Sequence, residues 1–211
     1  MDTYYFFDFD STFTNSEALE VLASISLEGR DDKDKILKEI TSITSEAMEG
    51  KLNFSEALKQ RVKLLGANRS HLEKLVQILK KSISVSVKRN KEFFKKNSDN
   101  IYVISGGFKE FIIPVVKSYG IKEENVYANE FRFNANGDIV GFDEKNILSR
   151  DKGKIEQLKK INVSGNVYVI GDGYTDFELK KAGLADKFFA YTENISRDSV
   201  TKNADHITPS L

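Results

Sequence analysis

The sequence contains no cysteine and only two histidines among its 211 residues. Without cysteine the chain can form no disulfide bond and no metal site with thiolate ligands. The histidines, His71 and His206, lie far apart in the sequence and in polar surroundings. We therefore expect both at the surface, because neither has the spacing of a metal site or a catalytic triad.

The chain also lacks an excess of charge of either sign, with 32 Lys plus Arg and 32 Asp plus Glu. Proteins that bind nucleic acids or membrane surfaces usually carry a basic excess, so neither partner is expected. No apolar run approaches the roughly 18 residues that a membrane span needs. The first residues include Asp2 and no basic segment, which disfavours a signal peptide and predicts a cytoplasmic protein. The sequence leaves the oligomeric state open.

What the sequence does contain is the balance of a globular protein, with 40% hydrophobic and 30% charged residues. Short apolar runs alternate with helical patterns, and continuous apolar runs are typical of strands buried on both faces. The alternation predicts an α/β protein with a Rossmann-like, doubly wound parallel sheet. The predicted strands span residues 4–9, 100–104, 126–128, 166–170 and 187–191.

Two segments interrupt this alternation. Residues 130–142, EFRFNANGDIVGF, alternate apolar and polar side chains around Asn136-Gly137, which predicts a β-hairpin. Residues 15–80 hold about three helical patterns and no good strand, which is too much for a simple crossover. We predict a helical cap at 15–80, inserted after strand 1 into an α/β core formed by 1–14 and 81–211. The chain stops at ADHITPSL without a closing helix, which leaves open that it is part of a longer protein.

Two carboxylates, Asp8 and Asp10, follow the first predicted strand in the run YYFFDFDST. Ligands of open α/β sheets bind outside the carboxyl ends of the strands. A period of two places both acids on one side of the departing chain. A solvated loop with a turn at Asp10 is the simpler alternative.

Other strand ends favour a site over that alternative. Strand 100–104 runs into Ser-Gly-Gly at 105–107, and strand 166–170 runs into GDGYTD with Asp172 and Asp176. Carboxylate oxygens are ligands that suit Mg²⁺. A hydroxyl, glycine N–H groups and a lysine from RDKGK, residues 150–154, suit an anion. A metal ion and an anion in one cleft predict phosphoryl chemistry.

The motifs DFDST, SGG, KG and GDGYTD, in this order, resemble the four motifs of the haloacid dehalogenase superfamily over essentially the whole chain. Cap residues 46–65, EAMEGKLNFSEALKQRVKLL, further resemble the phosphoserine phosphatase branch. The resemblance implies Mg²⁺-dependent hydrolysis of O-phospho-L-serine through an aspartyl-phosphate. Another small phosphomonoester is the alternative substrate. A phospho-accepting signalling domain is a weaker alternative, since it lacks the helical insert and the GDGxTD loop.

The resemblance also implies roles for the motif residues. Asp8 would be the nucleophile, and Asp10 the general acid and then the base that activates water. Lys152, preferred to Lys154 because a glycine follows it, would neutralise the phosphate and shield Asp8. The other implied contacts are to the phosphate (Ser105 and the N–H of Gly106), to the substrate (Gly107 and Thr175), to the Mg²⁺ ion (Asp8, Asp172 and the backbone carbonyl of Asp10), and from Asp176 to Lys152 and a metal-bound water.

Arg61 is the candidate for binding the rest of the substrate from the cap. On a helix over 54–65 it falls in the middle of the apolar face, where a solvated arginine is not expected. The alternative is a snorkelling side chain whose head reaches water. The resemblance assigns Arg61 to the substrate carboxylate, which its planar guanidinium can bind with two hydrogen bonds.

Glu17 is the candidate for the substrate ammonium, again on the resemblance. The alternative is that Asn15 or Ser16 caps a helix whose positive dipole end Glu17 merely complements. The resemblance places Met48 and Phe54 in the lid over the cleft, with nearby Gly50 allowing the lid to bend.

Overall fold

The computed structural model describes residues 2–211 and has eight strands. Six of them form one sheet in the order β3-β2-β1-β6-β7-β8, and every neighbouring pair in it is parallel. This arrangement confirms the predicted α/β class. The short last strand was not predicted, because HIT is not part of a longer apolar run. The strands are β1 Thr3–Phe7, β2 Ile101–Phe108, β3 Val126–Asn129, β4 Phe131–Phe133, β5 Ile139–Phe142, β6 Asn166–Gly171, β7 Lys187–Tyr191 and β8 His206–Thr208.

Ten α-helices accompany the strands in the described residues 2–211. None of the described helices combines the length and the apolar character that crossing a membrane requires. The helices are α1 Ala18–Ser26, α2 Lys33–Met48, α3 Phe54–Leu64, α4 Arg69–Lys81, α5 Val85–Arg89, α6 Lys91–Lys96, α7 Lys109–Val116, α8 Gly153–Ile161, α9 Tyr174–Lys181 and α10 Asp198–Thr201.

The sheet is covered on both faces because its strands are apolar at successive positions. Phe6 lies on one face, in an apolar cluster with Leu158 of α8 and Leu179 of α9. Phe7 points to the opposite face, into a larger cluster that includes Phe111 of α7 and Leu75 of α4. Successive strand residues face opposite sides, so burial of both sides requires the uninterrupted apolar runs seen in the sequence.

The segment predicted as a cap contains four helices, α1 to α4, where about three were expected. Its two connections to the rest of the chain run side by side: Asn15 N donates to Ser82 O at 2.8 Å, and Ser84 N donates to Phe13 O at 3.1 Å. These bonds bring the ends of the segment together beside the carboxyl end of β1. The boundaries of a separate cap at 15–80 stay a prediction.

The predicted hairpin is confirmed as the antiparallel pair β4 and β5. Gly137 in its turn has a φ of +84°, a conformation that favours glycine. The Asn134 carboxamide oxygen accepts hydrogen bonds from the backbone N–H groups of Asn136 and Asp138, both at 2.9 Å. The turn chemistry read from NG therefore matches the observed local structure.

Candidate active site

The chain leaves β1 through a tight turn that orients Asp8. The Asp8 backbone N–H still donates to Ile170 O of β6 at 2.9 Å, so this residue continues the strand direction. Its carboxylate accepts from the Phe9 N–H at 2.7 Å, and the side chain is buried, with 4% exposure. Ser11 then takes a φ of +51°, which turns the chain away from the sheet. Asp8 is thereby held at the carboxyl end of the central strand.

Lys154 lies between two buried carboxylates, 3.0 Å from Asp8 and 2.7 Å from Asp176. Burial alone would lower the pKa of Lys154, but the charges of Asp176 and Asp8 outweigh it and raise that pKa. Burial and the Asp8 charge raise the pKa of Asp176 to about 7, although Lys154 opposes this. Gly171 leaves room for Asp176, because a Cβ at residue 171 would collide with its carboxylate. The lysine is therefore a fixed cation in this cluster.

Lys152 does not reach the carboxylates, so its predicted contact with Asp176 is wrong. Lys152 precedes α8 with a φ of +60°, and its side chain is exposed. At Gly153 a Cβ would collide with the carbonyl of Ile147, so only glycine lets the helix begin this close to the neighbouring chain. Lys154 follows on the first turn and points into the cluster. In this chain the buried lysine is therefore the one that follows Gly153, not the one that precedes it.

The third acid of the cluster, Asp172, accepts a hydrogen bond from the Thr12 hydroxyl at 2.8 Å and forms an ion pair with Arg197. Carboxylate oxygens of Asp8, Asp172 and Asp176 all lie within 4.8 Å of one another. Burial raises the pKa of Asp172 well above its usual range, with Arg197 opposing. Three buried carboxylates this close repel one another. A small divalent cation bound between their hard oxygen atoms would offset that repulsion.

Arg197 was missed by the sequence reasoning. It lies in the loop after β7, where the run ENISRDSV carries no recognised motif. Its guanidinium contacts Asp172 and is 4.0 Å from a carboxylate oxygen of Glu17. The only available signal was its position a few residues beyond a strand end of the same sheet.

Asp10 and Glu17 meet at the start of α1. The Asp10 carboxylate accepts from the Ala18 N–H at 2.8 Å, so Asp10 supplies the acceptor for this helix start. The helix begins at Ala18, and the alternative that Asn15 or Ser16 caps it is wrong. Burial, followed by the negative charge of Glu17, raises the pKa of Asp10 well above its usual range. A raised pKa favours the protonated form that a proton donor needs.

Glu17 is held by the loop below it rather than by its own helix. One of its carboxylate oxygens accepts from the Ser11 hydroxyl at 2.6 Å. Glu17 also lines the small cavity over Asp8, so its carboxylate is accessible to a ligand there. The strained turn at Ser11 thus orients both the chain and this acid.

Arg61 is buried in the cap, with 5% exposure, so the snorkelling alternative is wrong. Its guanidinium donates to Ala57 O at 3.3 Å and to the Thr44 hydroxyl at 3.4 Å, which are both neutral oxygens. Burial lowers the pKa of Arg61, while Glu17, Asp10 and Glu20 oppose that change. A buried cation without a close counter-ion is costly, and an anionic ligand in the cleft would recover that cost.

One cavity of about 20 Å³ brings most of the predicted residues together. Ser105 closes its floor: the side chain is buried, and its hydroxyl accepts from Gly107 N–H at 3.0 Å. Lys152 lines only a neighbouring cavity of about 160 Å³. The residues around the small cavity are Asp8, Asp10, Glu17, Leu19, Met48, Phe54, Arg61, Ser105, Gly106, Gly107, Lys154 and Thr175.

Comparisons with known proteins place the chain in one family. A family model described as haloacid dehalogenase-like hydrolase matches residues 5–181. The chain is 34% identical over 202 residues to the chloroplastic phosphoserine phosphatase of Arabidopsis thaliana, covering 94% of this chain and 66% of that protein. It thus spans about two thirds of that relative's length.

Solved structures give the same picture. A phosphoserine phosphohydrolase-like protein from Francisella tularensis superposes with a TM-score of 0.88 at 28% identity, covering 99% of this chain and 96% of that one. A structure described as the phospho-aspartyl intermediate analogue of phosphoserine phosphatase superposes with a TM-score of 0.77 at 25% identity, covering 98% and 92%.

Proposed function

The chain belongs to the haloacid dehalogenase-like hydrolase family, and we propose that it hydrolyses O-phospho-L-serine to L-serine and phosphate with the help of Mg²⁺. The observation that carries this proposal is the small cavity over Asp8. It is lined by a carboxylate beside a fixed lysine, by an acid with a raised pKa, and by Glu17 and buried Arg61. Relatives that are named phosphoserine phosphatase and align with most of this chain support the choice of substrate.

In the first step an Asp8 carboxylate oxygen attacks phosphorus, and the bond from phosphorus to the serine oxygen breaks. Asp10 gives its proton to the departing serine oxygen, which is otherwise a poor leaving group; such a donor is worth roughly 10² to 10⁴ in rate. Lys154, 3.0 Å from Asp8, offsets the repulsion between the attacking carboxylate and the phosphate. The product of this step is an aspartyl-phosphate and free L-serine.

In the second step Asp10, now ionised, takes a proton from water as the water oxygen attacks the same phosphorus. The bond between phosphorus and the Asp8 oxygen breaks, which releases phosphate and restores both carboxyl groups. Splitting the hydrolysis in two replaces one difficult displacement with two easier ones. Ser105 and the N–H of Gly106 would hold the phosphate oxygens during both steps.

The acid cluster fits the proposed Mg²⁺, because Asp8, Asp172 and Asp176 present hard oxygen donors within 4.8 Å of one another. Asp8, Asp172 and the backbone carbonyl of Asp10 would hold it, with Asp176 positioning Lys154. When bound, Mg²⁺ supplies positive charge that lets the phosphate approach the carboxylates.

Selection among phosphomonoesters falls to the two charges on the upper side of the cavity. Glu17 would accept the substrate ammonium, and Arg61 would bind the substrate carboxylate with its two-pronged guanidinium. Phosphoethanolamine lacks the carboxylate and 3-phospholactate lacks the ammonium, so each strands one charge in a closed cleft. Stranding a buried charge costs about 2–5 kcal/mol, or roughly 30- to several-thousand-fold in kcat/KM.

The deciding experiment measures kcat/KM on phosphoserine, phosphoethanolamine and 3-phospholactate, with Mg²⁺ and with EDTA. We expect phosphoserine to be preferred by the stated factor, EDTA to abolish activity, and Mg²⁺ to restore it. Equal kcat/KM values on the three esters would still be consistent with a phosphatase, but they would contradict phosphoserine as its specific substrate. Full activity in EDTA would contradict the proposed mechanism.

A further inference from the structure

A single carboxylate joins cap helix α3 to the loop before α8, the helix that carries Lys154. Ser55 N–H donates to Asp151 Oδ1 at 3.0 Å, and the Ser55 hydroxyl donates to Asp151 Oδ2 at 3.2 Å. The residue preceding the helix, Asn53, makes no side-chain capping bond of its own. Helix starts have N–H groups without partners, and Asp151 supplies an acceptor from across the cleft.

The contact holds Phe54, next to Ser55, over the floor of the cleft. The Phe54 ring fills the space that a Cβ at Gly106 would need, so it lies directly on the proposed phosphate-binding segment. Phe54 also lines both the cavity of about 20 Å³ over Asp8 and the outer cavity of about 160 Å³. Its ring therefore stands between the two.

This arrangement must open during turnover. A cavity of about 20 Å³ has room for about one water molecule and not for a phosphoester. Since α3 carries both Phe54 and Arg61, moving this helix away from the sheet opens the cavity and withdraws Arg61. The same movement separates Ser55 from Asp151, because Asp151 belongs to the loop before α8.

We infer that Asp151 is a positioning residue that latches the cap in its closed position. It acts through Ser55 and touches no reacting atom. Its negative charge lies at the amino-terminal end of an 11-residue helix, where the helix dipole favours an anion. The inference rests on the proposed function only in assuming that the cavity receives a phosphomonoester.

The chain offers a matched control on the same helix. Lys59 of α3 forms an ion pair with Glu144 of the core at 3.0 Å, and both side chains are more than half exposed. The Asp151 contact is exposed too, but the Lys59–Glu144 ion pair involves neither the helix start nor the loop before α8, and an exposed ion pair contributes little. Glu144→Ala should therefore leave the cap position unchanged.

Because the protein has no cysteine, two labels can be introduced without removing any native thiol. Spin labels at K38C in α2 and K160C in α8, both exposed positions, report the distance between cap and core in the protein without substrate. Losing a helix cap should raise the open-to-closed ratio in Asp151→Ala by about 2- to 30-fold. Ser55→Ala, which keeps the backbone N–H, should have a smaller effect and none in the Asp151→Ala background. Identical distance distributions for Asp151→Ala and Glu144→Ala would overturn the latch.

A kinetic readout separates a latch from a general structural role. We expect the bulky p-nitrophenyl phosphate to react with the cap displaced, whereas phosphoserine should need the cap returned over it so that Arg61 can contact its carboxylate. The ratio of kcat/KM for phosphoserine to that for p-nitrophenyl phosphate should fall about 2- to 30-fold in Asp151→Ala. It should fall less in Asp151→Asn, which keeps one acceptor oxygen, and not at all in Glu144→Ala. An unchanged ratio in Asp151→Ala would overturn the inference. Failure of the phosphoserine proposal would instead show as absent phosphoserine turnover in the wild type, with the spin-label result still deciding the latch.

Discussion

The sheet side and the cap side of the cleft differ in how their charged side chains are paired. On the sheet side, Lys154 contacts Asp8 and Asp176, and Arg197 pairs with Asp172. On the cap side, Arg61 is buried and hydrogen-bonded only to neutral oxygens. Paired charges hold their geometry without a ligand, whereas a buried unpaired charge leaves a cost for a ligand to relieve. The charged side chains on the sheet side are therefore in position without a ligand. The charge of Arg61 on the cap side is paired only when an anionic ligand binds.

The largest expected effect comes from removing the charge of Asp8, the central carboxylate of the sheet side. Asp8→Asn is isosteric, so the fold should survive while the attacking oxygen loses its charge. We expect kcat on phosphoserine to fall at least a thousandfold, about 4 kcal/mol of barrier. Circular dichroism checks the fold. Retention of more than about a tenth of wild-type kcat would show that Asp8 is not the nucleophile.

The next largest effect should separate the two neighbouring lysines. Lys154→Met removes the fixed cation and should lower kcat/KM by about 10² to 10³. Lys152→Met changes an exposed side chain and should stay within about threefold of wild type. Urea unfolding should show a loss of about 3–5 kcal/mol for Lys154→Met only, because two buried carboxylates lose their partner. A larger loss of kcat/KM in Lys152→Met than in Lys154→Met would instead support Lys152, the lysine predicted from the sequence.

On the cap side the expected effects are smaller and depend on the substrate. Glu17→Gln should reduce kcat/KM for phosphoserine roughly tenfold more than for 3-phospholactate, which has no ammonium to lose. Arg61→Lys should reduce it roughly tenfold more for phosphoserine than for phosphoethanolamine, because a point charge cannot replace the two-pronged guanidinium. Steady-state kinetics on the three esters measure both differences. Equal losses of kcat/KM on all three esters would mean that these residues maintain the shape of the cap and do not bind the ammonium or carboxylate of the substrate.

The smallest expected effect is a shift in pH dependence. Burial and then the charge of Glu17 raise the pKa of Asp10, and the charge of Arg61 lowers it. A general acid must be protonated, so activity is lost as pH rises through its pKa. On ethyl phosphate, which has neither ammonium nor carboxylate, Glu17→Gln should move the alkaline limb of kcat/KM to lower pH, and Arg61→Gln should move it to higher pH. Shifts in the same direction would show that Asp10 is not the acid in question.

Much of the sheet and its site could be predicted because the signals are local. The runs before Asp8 and Asp172 are apolar on both faces, and only buried parallel strands need that pattern. Acids placed directly after such strands must meet at one edge of the sheet. The hairpin around Gly137 was predicted for a similar reason, since its turn depends on two adjacent residues.

The misses share a different cause, because each depends on a tertiary contact that no short motif or periodic pattern encodes. The start of α1 is satisfied by Asp10, eight residues earlier, so no cap is needed from Asn15 or Ser16. Arg197 reaches Asp172 through the packing of the loop after β7, which no motif encodes.

By itself, the sequence determined the fold class, the order of the strand-end motifs and the chemistry that they support, because periodicity and short spacings translate directly into which residues share a face or an edge. Only the tertiary structure decided which lysine lies between Asp8 and Asp176. Lys152 and Lys154 are two residues apart in the same charged run, and the choice depends on where α8 begins. That start is set by the close approach of Gly153 to the chain at Ile147, which leaves Lys152 outside and turns Lys154 between the two acids.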